Sequence, residues 1–338
     1  MTDSVAAPRP SRRWKILLRV LLGLVIFFFL AFQGLAFSHA WSITHYAPVD
    51  AHTTRLREIH TWLDRTRLVL LGPTIRRMSN TRTPAEYQLS YTTTTFPNAS
   101  GLRLEAWCIP GEPDYPAVLL FPGYAGSKDT LLAAAAEFHR AGCTAWLVDF
   151  SGIGGSEGRK TTIGWREAED VAAAVKAYRA TAPSGPLVLY GTSMGAAAIL
   201  CADARGLVAP DGEILECPFD RFSTTVANRL RIAGLPPTPL AQNIAFWVGA
   251  QNGFNGLANN PVDFARSVRC PALLMQGEND EFVGRPAVQA IAANLGEHGT
   301  LKIFPHCGHS FLVRDADTAW RASIRQFLAA VNNPRASR

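Results

Sequence analysis

A serine lies between two glycines in Gly191-Thr192-Ser193-Met194-Gly195, directly after the apolar run LVLY and before the helix-forming run AAAILCADA. A strand that reverses at once into a helix leaves no room for side chains two positions either side of its central residue. Gly-x-Ser-x-Gly in that setting therefore reads as a nucleophile elbow, and a turn serving only packing is the plainer alternative. A serine hydroxyl attacks a carbonyl only when a base takes its proton, and the base needs a carboxylate to hold its tautomer. Of eight histidines, His309 in FPHCGHSF stands beyond the last apolar run and before the final helical pattern, where a loop can reach back to the elbow; His306 is its rival. Asp280, in the turn after LLMQ, completes the chain order Ser, Asp, His, with Glu278, Glu281 and Glu216 as rival acids. The oxyanion formed on attack needs preorganised donors. The Met194 amide offers one and the Tyr124 amide, in Pro122-Gly123-Tyr124-Ala125-Gly126, the second; an ordinary glycine-rich turn is the alternative there.

Other clusters carry less. GIGGSEG lacks the lysine of a phosphate-binding loop and the full dinucleotide spacing, and Asp149 at its head reads as a loop brace. Cys307 in PHCGH has no second cluster to complete a tetrahedral metal set, and the six cysteines sit in apolar segments as small hydrophobes. No metal site is expected.

The groups must be carried by a scaffold, and after residue 84 the pattern is one of strand and helix alternation. Polar–apolar alternation predicts strands at 87–93 and 102–109; short apolar runs predict buried parallel strands at 117–121, 144–150, 187–190, 214–217, 272–276 and 301–304. Helical patterns lie between them at 130–141, 165–180, 194–204, 219–232, 286–295 and 315–331. That order implies an α/β fold, a mostly parallel sheet covered by helices on both faces, with its chemistry outside the carboxyl ends of the strands.

The front of the chain is different in kind. Residues 20–37 hold no charge, enough helix to cross a hydrocarbon core, and the five basic side chains of the first forty residues all precede them. The expectation is a span (1–40) with its N-terminus cytoplasmic and the rest exported; a signal peptide cut after Ala40, freeing the enzyme, is the alternative. Those forty residues carry +4 of the net +6, so no basic face remains for nucleic acid. Residues 41–83 read as a helical connecting segment, with an amphipathic helix at 53–64. Among the histidines, His39, His45, His52 and His60 read as surface groups near the membrane.

FPGYAGS, VDFSGIGGSEG, YGTSMG, LLMQGENDEFV and PHCGHSF, in this order over residues 87–331, resemble the α/β-hydrolase superfamily, specifically its compact serine-hydrolase branch with serine-aminopeptidase-like, acyl-protein-thioesterase-like and dienelactone-hydrolase-like members. Pro122 departs from the histidine many relatives carry there. The resemblance implies the α/β-hydrolase fold over 84–333 with a small lid at about 219–262, and cofactor-free hydrolysis through an acyl-enzyme. Phe246, Trp247 and Phe254 in the lid are candidates for an acyl pocket or for plain packing. The expected activity is cleavage of small-molecule or lipid-like esters; peptidase action, acyl transfer and a noncatalytic binding scaffold are the alternatives. Oligomeric state is not legible.

Overall fold

The computed structural model describes residues 12–54, 61–181 and 185–332. Eight strands form one sheet: β1 (Thr92–Pro97), β2 (Arg103–Ile109), β3 (Ala117–Phe121), β4 (Thr144–Asp149), β5 (Leu187–Thr192), β6 (Gly212–Glu216), β7 (Ala272–Gly277) and β8 (Gly299–Phe304). Their order is β1-β2-β4-β3-β5-β6-β7-β8, antiparallel at β1–β2 and β2–β4 and parallel elsewhere. The helices are α1 (Arg12–Thr44), α2 (Trp62–Leu71), α3 (Leu132–Arg140), α4 (Glu167–Arg179), α5 (Met194–Ala204), α6 (Phe222–Ile232), α7 (Leu240–Asn252), the single turn α8 (Pro261–Phe264), α9 (Arg285–Leu295), the single turn α10 (Leu312–Asp315) and α11 (Asp317–Asn332).

The apolar runs of β3 to β7 form parallel strands because both of their faces are covered; β8, expected to be buried as well, lies at the sheet edge with Thr300 and Lys302 exposed. Leu119 and Phe121 of β3 belong to the core on one face, with Val171 of α4, Ala197 of α5 and Val288 of α9, while Val118 and Leu120 belong to the core on the other, with Phe138 of α3 and Trp320 and Ile324 of α11. The early hairpin is shifted from expectation. Pro84–Tyr87 form a 3-10 turn that ends at Gln88 with φ 58°, and the first strand starts at Thr92 rather than 87. Alternation in EYQLSYT misleads because Leu89 and Tyr91 do pack inward, but from a loop. Half of the amphipathic helix expected at 53–64 falls on 55–60, outside the described residues; residues 53 and 54 are not helical, and the helix described here starts at Trp62, capped by Thr61.

The GIGGSEG loop is held from beneath. Asp149, at the end of β4, accepts from Gly155 N (2.8 Å), Lys128 N (2.7 Å) and Asn80 Nδ2 (2.8 Å), as a loop brace should. The fully buried Lys128 ammonium bridges Asp149 (2.5 Å) and Glu105 (2.7 Å) over the Trp107 ring. Removing the cation while the acids stay buried leaves charge uncompensated, so Lys128→Met should destabilise the chain by about 3–5 kcal/mol in denaturant unfolding. A loss under about 1 kcal/mol would show that the ammonium is not holding the loop.

Candidate active site

The carboxyl ends of β5, β7 and β8 bring three separated side chains together. Ser193 sits in the turn between β5 and α5 with φ 51° and ψ −110°, a strained backbone that tight packing maintains. A Cβ on Gly191 would lie 2.4 Å from Ala196 N, and one on Gly195 would lie 2.3 Å from Phe121 O. Glycine is therefore required on both sides, at 191 by the tight reversal the sequence suggests and at 195 by the close pass of the end of β3.

His309, between β8 and α10, points Nε2 at Ser193 Oγ (3.1 Å) and Nδ1 at Asp280 Oδ2 (2.6 Å). Asp280, in the turn after β7, also accepts from Gln276 Nε2 (2.7 Å) at Oδ2 and from Phe282 N and Val283 N (both 2.9 Å) at Oδ1. A carboxyl group meeting only donors is a carboxylate, so the Nδ1 nitrogen carries the proton and Nε2 is left to accept from the Ser193 hydroxyl. Phe282 stands edge-on to the imidazole with centroids 5.4 Å apart, fixing the ring plane.

The rivals lie elsewhere. His306 is exposed. Glu216, fully buried, accepts from Tyr190 Oη (2.7 Å), Leu312 N (3.0 Å) and Trp320 Nε1 (3.1 Å), tying the final helices to the sheet, and burial raises its pKa. Cys217 lies beside Asp280 and His309, its ligand atom within 4.8 Å of theirs. Burial, aided by the negative charge of Glu216 and Asp280, holds its thiol well above the ordinary range, so it stays neutral there.

The Met194 amide opens α5, where a helix has no internal acceptor for its N–H. Gly123 runs so close to the elbow that a Cβ there would sit 3.4 Å from Ser193 Cβ, which brings the Tyr124 loop alongside the serine. The Tyr124 phenol donates to Ile43 O at 2.6 Å, anchoring that loop on the last turn of α1.

Beside Ser193 opens a cavity of about 470 Å³, walled mainly by apolar side chains such as Met194, Phe222, Val226, Leu230 and Ile244. Helices α6 and α7, within the expected lid, supply part of the wall. The rest was missed: His39 and Ile43 of α1, Thr54, and Leu68, Pro73 and Ile75 of the connecting segment also face the cavity. His39 is thus buried, with Nε2 2.8 Å from Val69 O, rather than a surface group. None of the three lid aromatics lines the cavity. Phe246 is exposed, Trp247 meets Phe37 edge-on and donates to Gln33 Oε1 (2.9 Å), and Phe254 stacks on Trp165. Arg229 and Phe282, also missed, do line it. The signal for Arg229 was present: Phe222, Val226 and Leu230 mark the apolar stripe of α6, and Arg229 lies on its edge.

Comparison with known proteins agrees with this architecture. The chain is 22% identical over 249 residues to the uncharacterized protein YqkD of Bacillus subtilis (strain 168), covering 73% of this chain and 82% of that protein. It is 32% identical over 174 residues to the polyketide transferase ATR5 of Stachybotrys chlorohalonatus, covering 45% of this chain and 59% of the transferase. The Pyrococcus furiosus esterase Pf2001 superposes with a TM-score of 0.63 at 20% identity, over 75% of this chain and 96% of the esterase. Residues 118–322, more than half of the sequence and spanning the serine, the aspartate and the histidine, match the model of the alpha/beta hydrolase family, and the chain belongs to that family.

Proposed function

We propose that this chain is a serine hydrolase, anchored by its first helix, that cleaves carboxylic esters bearing an apolar chain. Ser193 Oγ attacks the ester carbonyl as its proton passes to His309 Nε2, and the oxyanion is met by the Tyr124 and Met194 amides. Collapse expels the alcohol, which leaves with the proton from Nε2. Water then attacks the acyl-enzyme with the same imidazole as base, releasing the acid and restoring the serine. Asp280 holds the imidazole and stabilises its charged form. The observation that carries this reading is the 3.1 Å contact between His309 Nε2 and Ser193 Oγ on the edge of an apolar cavity.

The test is turnover of p-nitrophenyl acyl esters of graded chain length beside aminoacyl amides, with fluorophosphonate labelling. Wild type should hydrolyse the esters, favour longer chains, and take the label, and Ser193→Ala should take none. Turnover of amides alone, or equal labelling of both proteins, would overturn the reading. Acyl transfer is the second reading, favoured by the similarity to a polyketide transferase. It differs only in what attacks the acyl-enzyme, and added alcohols or amines appearing in the products would identify it.

The helix α1 supports the membrane assignment. From Ile16 to Leu30 its large apolar side chains are exposed, and Arg12, Arg13, Lys15 and Arg19 stand at its start, with Arg9 outside the described residues. On this reading the N-terminus is cytoplasmic and the hydrolase lies on the exported side. About thirteen residues of helix separate Leu30 from Ile43, roughly 20 Å, so the cavity lies close to the membrane surface, where lipid-like esters are concentrated.

A further inference from the structure

Arg229 is the one permanently charged group on the cavity wall among the described residues. Its guanidinium bonds Thr225, one turn back on α6, at the hydroxyl and at the carbonyl (3.3 Å), and lies 5.0 Å from the centre of the Phe282 ring. That ring in turn meets the His309 imidazole. No acid pairs with Arg229 among the described residues. Asp280, the nearest carboxylate influence, is committed to His309, Gln276 and two backbone amides. Burial disfavours the charged form of Arg229, and an ion taken from water into apolar surroundings is costly unless an opposite charge meets it. A neutral alkyl ester gains nothing from such a group. A chain that carries its own anion supplies the missing partner and takes the apolar wall as well.

We propose that the cavity selects anionic amphiphiles: esters joining an apolar chain to a carboxylate or phosphate group, with Arg229 pairing that anion. This rests on the serine-hydrolase reading and adds the substrate's charge to it. A guanidinium set over the Phe282 ring, with Nη1 on Thr225, keeps further N–H groups for two oxygens at once, which fits a carboxylate or phosphate. Because Phe282 touches both Arg229 and His309, a bound anion would lie near the catalytic imidazole, and the scissile carbonyl would reach Ser193 from the same cavity.

The experiment uses the full chain in neutral detergent. Mono-p-nitrophenyl esters of dicarboxylic acids with four to ten carbons, whose far end is a carboxylate, are compared with p-nitrophenyl esters of matched neutral acids. For at least one length, kcat/KM should favour the anionic ester about tenfold or more, the scale of a hydrogen bond to a charged group. Arg229→Gln should abolish that preference chiefly through KM, and Arg229→Lys should keep part of it. Equal losses on both ester classes in Arg229→Gln, or a wild-type preference for neutral esters at every length, would overturn the proposal. A binding arm separates this from the activity itself: decyl phosphate and decanoate should raise the melting temperature more than decanol does, and Arg229→Gln should erase the difference. The relative size of the two anion shifts identifies the favoured group. If neutral esters are hydrolysed and all three compounds shift melting equally, the anion site fails while the hydrolase reading stands. If the anion-specific shifts appear and no ester is turned over, the hydrolase reading fails while the site stands.

Discussion

Ser193→Ala should lower kcat for a good ester by about 10⁵–10⁶-fold with little change in KM, and His309→Ala should cost about as much. The double variant should be scarcely worse than either, because the hydroxyl and the imidazole act as one unit: a serine without a base and a base without a serine are equally idle. Asp280→Asn is the more informative change. Its four acceptor contacts come from Phe282 N, Val283 N, Gln276 Nε2 and His309 Nδ1, so an amide nitrogen on either side faces donors. The imidazole then gains by presenting an unprotonated Nδ1, which moves its proton to Nε2 and removes the acceptor for the serine. A loss of about 10⁴ in kcat is expected, with folding intact by circular dichroism. Single-turnover and steady-state measurements on the same ester check all four proteins, and a Ser193→Ala enzyme within tenfold of wild type would remove that residue from the chemistry.

What was legible in the sequence follows from what forces each feature. The runs AVLLF and ALLMQ lie in strands covered on both faces, so unbroken apolarity located β3 to its residue bounds and β7 to within one residue. The elbow was legible because the glycine at 191 has a steric cause that operates within five residues, at Ala196, whereas the one at 195 answers to the end of β3 and is marked only by the motif. Once strand order is fixed, the loops after β7 and β8 open at the same sheet end, and of the residues picked by topology His309 meets Ser193 and Asp280 meets His309. The cavity wall was not legible in this way. Which lid aromatic faces the substrate depends on how α6 and α7 rotate against a helix two hundred residues earlier. Family position offered Phe246, Trp247 and Phe254 as pocket or packing residues, yet α1 holds Trp247, Trp165 holds Phe254, and Phe246 is exposed. The period-two pattern at 87–93 failed for a related reason, since alternation reports which side chains turn inward and not whether the backbone is paired.

On the proposed anchored reading, deleting residues through Ala31 should leave a folded, active enzyme that no longer needs a membrane, whereas deleting through Ala40 should destroy it. Both deletions remove the exposed apolar run, but only the second removes residues 32–40 of α1, which pack on the hydrolase and carry the turn that ends at Thr44. Ala36, Ala40 and Thr44 recur every four residues and are completely buried, small enough to let α7 lie close. Gln33 donates to Asn243 of α7 (3.1 Å) and accepts from Trp247 (2.9 Å), and Gln251 donates to Phe37 O (2.9 Å). His39 closes the cavity beside Leu68, and Ile43 O holds the Tyr124 loop. Three or four hydrogen bonds at about 1 kcal/mol each, with the apolar faces of α7 and the cavity opened to water, amount to about 5 kcal/mol or more. That is comparable with the whole stability of an ordinary domain. Thermal melts and turnover of a short soluble ester would compare the two proteins. The same contacts bear on a signal-peptide cut after Ala40, which would excise Gln33, Phe37 and His39 from their partners on α7 and the connecting segment. On the proposed anchored reading, a helix whose last turns wall the cavity beside Ser193 stays attached. Recovery of a stable, fully active enzyme beginning at Trp41 would reverse that conclusion and make the first forty residues a removable leader.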